Sequence, residues 1–412
     1  MQSDAKQIIA DSIAAVLPDA AVRRALKGRV FPHGAVLVAI GKAAWRMAHA
    51  ACDVLDGQVK KGVVITKYGH SEGPIDGLLI IEAGHPVPDK NSVLGAERAL
   101  ELVLGLTEED TVVFLVSGGG SALFEKPLEG CSLDDLAGIT GQLLACGAEI
   151  TEINTIRKHL SAVKGGRFGQ ACAPARVLSV ILSDVLGDPL DAIASGPAVP
   201  DRSSSADAAK IVAKYGLDMP PHILKLLEKE TPKALKGVES VVTGNVNELC
   251  EAAARSAAAL GYTPLLLTTT MNGEAREMGR MLASIAQEIR RSGRPAKPPC
   301  AVIAGGETIV HVRGKGKGGR NQELALAAAE GLDGLPHVCL FSLGSDGTDG
   351  PTDAAGGMVT GEFARACRAH GLSIHEALES NDAYPLLEQM DALIRTGPTG
   401  TNVNDVAVLL IK

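Results

Sequence analysis

Along this chain, polar and glycine-rich clusters follow short apolar runs, where few of these residues have a packing use. After residues 35–40 comes Gly41-Lys42-Ala43-Ala44, a glycine turn that opens a helix. Free N–H groups at such a turn attract an anion, and Lys42 adds a point charge there. The turn is neither a Walker A loop nor a G-x-G-x-x-G fingerprint. A helix-opening turn with a solvated lysine is the plain alternative. After residues 111–116 comes Ser117-Gly118-Gly119-Gly120-Ser121, which suits a backbone nest around a phosphate or carboxylate. It is not a G-x-S-x-G elbow, which weakens a hydrolase reading. Asn154, then Arg157 or Lys158, then Ser161 share one helix face with no acid between them. Such a face can grip an anionic substrate, unless it is simply solvated.

The carboxylates cluster separately. Asp184, Asp188 and Asp191 fall within eight residues after the run 177–182, just before Ala194-Ser195-Gly196-Pro197. So many acids repel one another unless they bind a cation or take different roles, such as a base beside Mg2+ ligands. Asp188, in Gly-Asp-Pro, suits a turn equally well. Further on, Gly305-Gly306-Glu307 follows an apolar run, and a basic glycine loop, 313–319, leads into Arg320-Asn321. That loop at a helix start is read as a polyphosphate seat, with Arg320 on the moving group. Ser345-Asp346-Gly347-Thr348-Asp349-Gly350, with Asp353 beyond, has the wrong spacing for a calcium loop. A last polar loop carries Asn402, Asn404 and Asp405. Anion cradles, two acidic clusters and cations at helix starts are what phosphoryl transfer requires.

The elements that position these groups alternate in type. Strands are expected at 35–40, 62–66, 78–82, 111–117 and 177–183, then at 240–243, 264–268, 300–304, 309–312, 338–343 and 406–411. Helices are expected at 92–104, 133–145, 149–172, 246–260, 273–291 and 321–330. Wholly apolar strands alternating with helices predict an α/β fold with mostly parallel sheets. At 412 residues two domains are expected, 1–235 and 236–412, the first Rossmann-like, with the active site in the cleft between them.

Composition narrows the function classes. A net charge of −8 with 3 % aromatics lacks the basic footprint and stacking platform of a nucleic-acid binder. The eight cysteines include no C-x-x-C pair, so free thiols in a reducing compartment are expected rather than a zinc site. With no signal-peptide layout and no membrane-length apolar run, the protein reads as cytoplasmic, and a homo-oligomer is compatible with the sequence.

The motifs resemble class II glycerate kinases over nearly the whole chain. Gly41-Lys42-Ala43-Ala44, the 117–121 loop, the run from Asn154 to Ser161, the turn from Ser183 to Asp188, and Ala194-Ser195-Gly196-Pro197 are similar to their N-terminal domain. Gly305-Gly306-Glu307, Gly318-Gly319-Arg320-Asn321, the 345–350 loop and the run 400–405 are similar to their C-terminal domain, known as MOFRL. The resemblance implies transfer of the ATP γ-phosphoryl group to glycerate with Mg2+, giving 2-phosphoglycerate, and suggests Lys42, Asp184 and Arg320 as catalytic positions. Gly41, Ser117, Gly118, Gly119, Gly120, Ser121, Asn154, Arg157, Lys158, Ser195, Gly196, Gly305, Glu307, Gly319, Asn321, Gly347, Thr348 and Asn404 are then expected to bind substrate or nucleotide. Asp188, Asp191, Asp346, Asp349 and Asp353 are the candidate metal ligands. Two readings compete: a nicotinamide-dependent hydroxypyruvate reductase and a non-catalytic sugar-acid binder. The reductase would need G-x-G-x-x-G after a first strand and an acidic end to the next, where this chain has Gly41-Lys42-Ala43 and Lys67-Tyr68-Gly69-His70.

Overall fold

The structure is a computed structural model describing residues 1–412. It divides into two compact units: Pro18–Thr243, here the N-terminal unit, and Met1–Leu17 with Gly244–Lys412, the C-terminal unit. The division differs from the expected 1–235 and 236–412 at both ends. Helix Gln2–Val16 belongs with the C-terminal unit, where Asp4 accepts a hydrogen bond from Tyr262 Oη at 2.6 Å and Asp11 one from Ser256 Oγ at 2.6 Å. At the other end, the strand expected to open the second domain pairs with the first sheet.

The N-terminal unit is built on β1 (Ala35–Ile40), β2 (Val59–Lys67), β3 (Leu78–Ala83), β4 (Thr111–Val116), β5 (Arg176–Ile181) and β6 (Val238–Val242). Their order is β3-β2-β1-β4-β5-β6 and every pairing is parallel. β1 is buried at every position, which is why its sequence runs apolar without alternation. Ala35, Leu37 and Ala39 pack with Met47 and Trp45 of helix Ala44–Leu55 on one face. Phe114, Phe124 and Phe168 cluster on the other, with Phe114 and Phe168 ring centroids 4.8 Å apart. Chain order runs outward from β1 to β3 on one side and from β4 to β6 on the other, so direction reverses between β1 and β4. Doubly wound sheets bind ligands beyond the strand ends at that reversal.

The C-terminal unit holds β7 (Thr263–Met271), β8 (Cys300–Gly306), β9 (Val338–Gly344), β10 (Gly356–Thr360), β11 (Leu393–Ile394) and β12 (Asp405–Ile411), in the order β11-β10-β9-β12-β8-β7. The sheet is mixed. β7, β8, β9 and β11 share a direction, while β10 and β12 run against their neighbours. Helix Arg320–Leu332 is buried along most of its length, beneath helix Ala275–Ser292. The two approach closely at Gly279, where a β-carbon would lie 2.2 Å from Leu324 O.

Two expected elements differ. Residues 309–312 form no strand; only Ile309 makes an isolated bridge, to Glu274, because no neighbouring strand pairs with the rest. The expected helix 149–172 is two helices, Ile150–Leu160 and Arg167–Ala171. Ser161 is extended at the break, and Gly165 and Gly166 turn the chain with φ of +55° and +85°.

A buried ion pair anchors the chain just after the short helix Gly120–Leu123 that follows β4. Lys164 Nζ lies 2.8 Å from Glu125 and donates to Phe124 O at 2.8 Å, with both side chains essentially inaccessible. Burial pushes Lys164 down to about 8, the Glu125 charge offsetting part of that effect. Removing one partner leaves a buried charge alone, which is the expensive case. Lys164→Met should therefore lose roughly 3–5 kcal/mol of stability, while Lys164→Met with Glu125→Leu should recover most of it. Urea unfolding of both variants checks this; equal losses would mean that the pair is not the cause.

Candidate active site

At the β1/β4 reversal, two turns press against each other. Gly41 has φ +112°, and a β-carbon there would lie 2.2 Å from Ser117 Oγ. Lys42 N donates to Gly118 O at 2.9 Å, Ala43 N to Ser117 Oγ at 3.1 Å, and Ser117 Oγ to Ile40 O at 3.2 Å. These bonds leave the N–H groups of Gly118, Gly119 and Ser121 without protein partners. With Gly119 left-handed at φ +82°, they form a nest suited to an anion. Gly120 is buried against Ala194 and Ile40 and serves packing.

Lys42 is exposed and makes no ion pair, so its charge is available to a ligand. Its Cε lies 3.2 Å from where a Gly119 β-carbon would be, beside His85 Nε2 at 3.1 Å. Burial, reinforced by Lys42, Lys67 and His70, lowers the His85 pKa below the usual imidazole range. His85, Lys67 and His70 were not expected as site residues, although Lys67 ends β2 and His70 and His85 follow the ends of β2 and β3. On the other flank, Asp184 Oδ2 stands 2.5 Å from the Gly118 β-carbon position, so this carboxylate overhangs the nest.

A hydroxyl relay adjoins it. Ser121 Oγ and Ser195 Oγ are 2.9 Å apart, and Ser195 Oγ donates to Asn154 Oδ1 at 3.2 Å. Ala194 and Ser195 hold φ of +51° and +60°, positions costly for side-chain-bearing residues, ahead of Gly196 at +61°. Strain of about 1–3 kcal/mol per residue persists where surrounding structure imposes it, commonly at functional sites. Arg157 Nη2 donates to Ser121 O at 3.4 Å and has no carboxylate partner; burial lowers its pKa.

Several expected binders have other duties. Lys158 is buried in an ion pair with Asp201 at 3.2 Å, with Asp191 at 3.6 Å, so Arg157 is the open cation of that helix. Ser161 Oγ accepts from the N–H groups of Val163 and Lys164 at the helix break. Asp188 sits at φ +50° in its turn.

In the C-terminal unit, Arg320 starts helix Arg320–Leu332 and is clamped by β12. Its Nε and Nη2 reach Asp405 at 2.6 and 3.0 Å, and Nη1 reaches Glu307 at 3.1 Å. Burial works against the charged guanidinium, but Asp405 and Glu307 outweigh it and push the Arg320 pKa up. Asn404 Nδ2 donates to Glu307 at 3.2 Å, completing the frame. The partnership with Asp405 is not legible from its local motif, because its register opposite Gly306 and Gly344 is a long-range fact.

The acidic residues of this unit do not converge. Asp349 accepts from Asn321 N at 3.1 Å and from Gln322 N at 2.8 Å, and so caps the helix rather than facing outward. A β-carbon on Gly319 would lie 2.2 Å from Asp349 Cγ, which accounts for that glycine by packing. The cap also occupies two of the helix-start N–H groups, those of Asn321 and Gln322, that the sequence offers to a polyphosphate. Asp353 pairs with Tyr384 Oη at 2.6 Å and Arg395 at 3.3 Å on the surface. Gly305 lies against Cys250 and Gly347 against Gly397, again by packing. Thr348 N donates to Asp346 Oδ1 at 3.0 Å, leaving the second oxygen of Asp346 unpartnered. No three His, Cys, Asp or Glu side chains are grouped to hold a metal ion.

Burial raises the Asp349 pKa to about 7, its two N–H bonds offsetting part of the effect. The folded state thus holds a proton that the unfolded chain releases near 3.8. The associated stability is full below the unfolded value and is lost as pH rises through about 7. Asp349→Asn should remove this pH dependence, so its stability relative to wild type should improve from pH 4 to 8. Asp349→Ala, leaving two buried donors unmet, should cost about 3 kcal/mol. Thermal unfolding against pH checks both; parallel wild-type and Asn curves would contradict the assignment.

The domain family DUF4147, described as a domain of unknown function, matches residues 4–228, and the MOFRL family matches residues 300–405. D-glycerate 2-kinase from Thermotoga maritima is 54 % identical over 98 % of this chain and 97 % of its own length. A protein named putative hydroxypyruvate reductase, from Agrobacterium vitis, is 41 % identical over 98 % of the chain and 93 % of its own. The crystal structure of glycerate kinase from Thermotoga maritima superposes with a TM-score of 0.96 at 53 % identity, covering 100 % of this chain and 99 % of that one. With that similarity running through both units, the chain belongs to the glycerate 2-kinase family that carries the MOFRL domain.

Proposed function

We propose that the chain transfers the γ-phosphoryl group of ATP to the 2-hydroxyl of D-glycerate, giving 2-phosphoglycerate and ADP. The observation that carries this reading is the union, at the β1/β4 reversal, of an unpaired lysine with a nest of unpartnered N–H groups. A small anion meets there a cation, three donors, and the neighbouring hydroxyls of Ser121 and Ser195. If the glycerate carboxylate takes the Ser121, Asn154 and Arg157 side, its 2-hydroxyl is the nearer one to Asp184. Asp184 is then the base that accepts the hydroxyl proton, for which hydrogen-bond reach is the first requirement. Lys42 and Arg320 are the cations that offset charge on the transferring group.

Mg2+, when bound with ATP, screens phosphate charge and orients the γ-phosphoryl group. An ion that keeps water and phosphate ligands needs only one or two carboxylates, and Asp346, with a free oxygen, is suited to that part. The relative named as a reductase gains no support from this chain: β2 ends in Lys67, not in an acid that would hold a ribose.

Phosphorus NMR of ATP with D-glycerate should show 2-phosphoglycerate and ADP. Appearance of 3-phosphoglycerate would contradict the placement of the carboxylate. Lys42→Ala and Arg320→Ala, each shown folded by circular dichroism, should lower kcat by about a hundredfold or more. Near-normal turnover in either folded variant would remove it from the mechanism.

A further inference from the structure

The C-terminal unit contains a groove of about 600 Å3 that includes both Arg320 and Glu307. Its apolar lining comes from Ile309, Val310, Val312, Pro351 and Ala383. Ile309 and Val312 are 52 % and 78 % exposed, unusual for β-branched residues beside a charged cluster. Neither belongs to the core, so their exposure has no packing account. We infer that this groove receives the nucleoside of ATP, with the phosphates directed towards Arg320. The inference rests on the kinase reading but adds the location of the nucleotide.

Four observations converge on that occupant. The volume suits a nucleotide-sized ligand, for which pockets of roughly 300–1,000 Å3 are typical, and far exceeds a three-carbon acid. The branched side chains and Pro351 offer flat apolar contact to a heteroaromatic ring. Val310 and Val312 spend no backbone N–H or C=O on protein partners, so base-edge groups can find both donors and acceptors there. The adjoining loop carries Arg313 and Lys315, neither in an ion pair, and Lys317, whose Nζ lies 4.0 Å from the Tyr384 ring centroid; this basic loop complements a triphosphate.

The wall is preformed. Asn381 Oδ1 accepts from Arg313 N at 2.7 Å and Gly314 N at 2.9 Å, and Asp382 Oδ1 accepts from Lys317 N at 2.8 Å. Gly314 and Gly316 are required for this contact, since β-carbons would lie 2.1 Å from Ser380 O and 2.5 Å from Asp382 Cβ. The glycines of this loop therefore shape the groove, rather than wrapping phosphate as their sequence suggests. A pinned wall binds without an ordering cost. At the β1/β4 reversal, by contrast, the groups facing the nest are polar or cationic and suit the small acid.

The test uses the full chain and 8-azido-ATP, irradiated with and without D-glycerate, followed by peptide mapping. Label should fall on residues 307–320 or 350–383; label concentrated on 40–45 or 117–121 would overturn the inference. In steady state, Ile309→Asp and Val312→Asp, both at exposed positions, should raise the KM for ATP by about tenfold or more. Their kcat and KM for glycerate should stay within about twofold. An unchanged KM for ATP in these variants overturns the groove and leaves the kinase reading intact. Absence of phosphorylation by wild type would sink the kinase reading, and the labelling pattern would still decide where ATP sits.

Discussion

The N-terminal unit depends on how closely two strand ends meet where the order of its sheet reverses. Gly41 and Ser117 leave no room for a side chain between them, and that contact turns both backbones at once. One turn aims Lys42 outward; the other leaves the N–H groups of Gly118, Gly119 and Ser121 unspent. The parallel sheet makes this arrangement unavoidable, because β1 and β4 end side by side in register, Ile40 opposite Val116. Asp184 follows the next strand over and inherits its place from the same registry.

Which cations serve ligands is then a question of which already have partners. Lys158 and Lys164 are buried and paired with Asp201 and Glu125, so they hold structure. Lys42 is exposed and unpaired, while Arg157 is held only by a carbonyl. Arg320 is different: Asp405 and Glu307 fix its fork and its charge, which leaves a rigid donor rather than a mobile one. A fixed guanidinium loses little order when charge develops beside it.

Much of this was legible in the sequence because the parallel sheet writes itself plainly. Apolar strands such as Ala35–Ile40 have no alternation, and polar residues at their carboxyl ends mark the ligand side. What stayed hidden was long-range pairing. Nothing local shows that Arg320 meets Asp405 or that Lys158 meets Asp201. Asp349 read as a metal ligand because an acid in a glycine-rich loop looks free, whereas it caps a helix distant in sequence. β10 escaped notice because Gly356 and Gly357, required by close contact with neighbouring strand and helix, erase the β-branched signature. Residues 309–312 carried that signature without being a strand, and their exposure has a better account as a binding wall. The break at Ser161 was masked by continuous helical periodicity on both sides.

The claim on which the account turns is that the β1/β4 reversal serves phosphoryl transfer and not hydride transfer. One preparation of the full chain, assayed in parallel with ATP plus D-glycerate and with NADH plus hydroxypyruvate, tests it directly. The account predicts ADP formation that requires D-glycerate, and no NADH oxidation above background. Hydroxypyruvate-dependent NADH oxidation without ADP formation would contradict it.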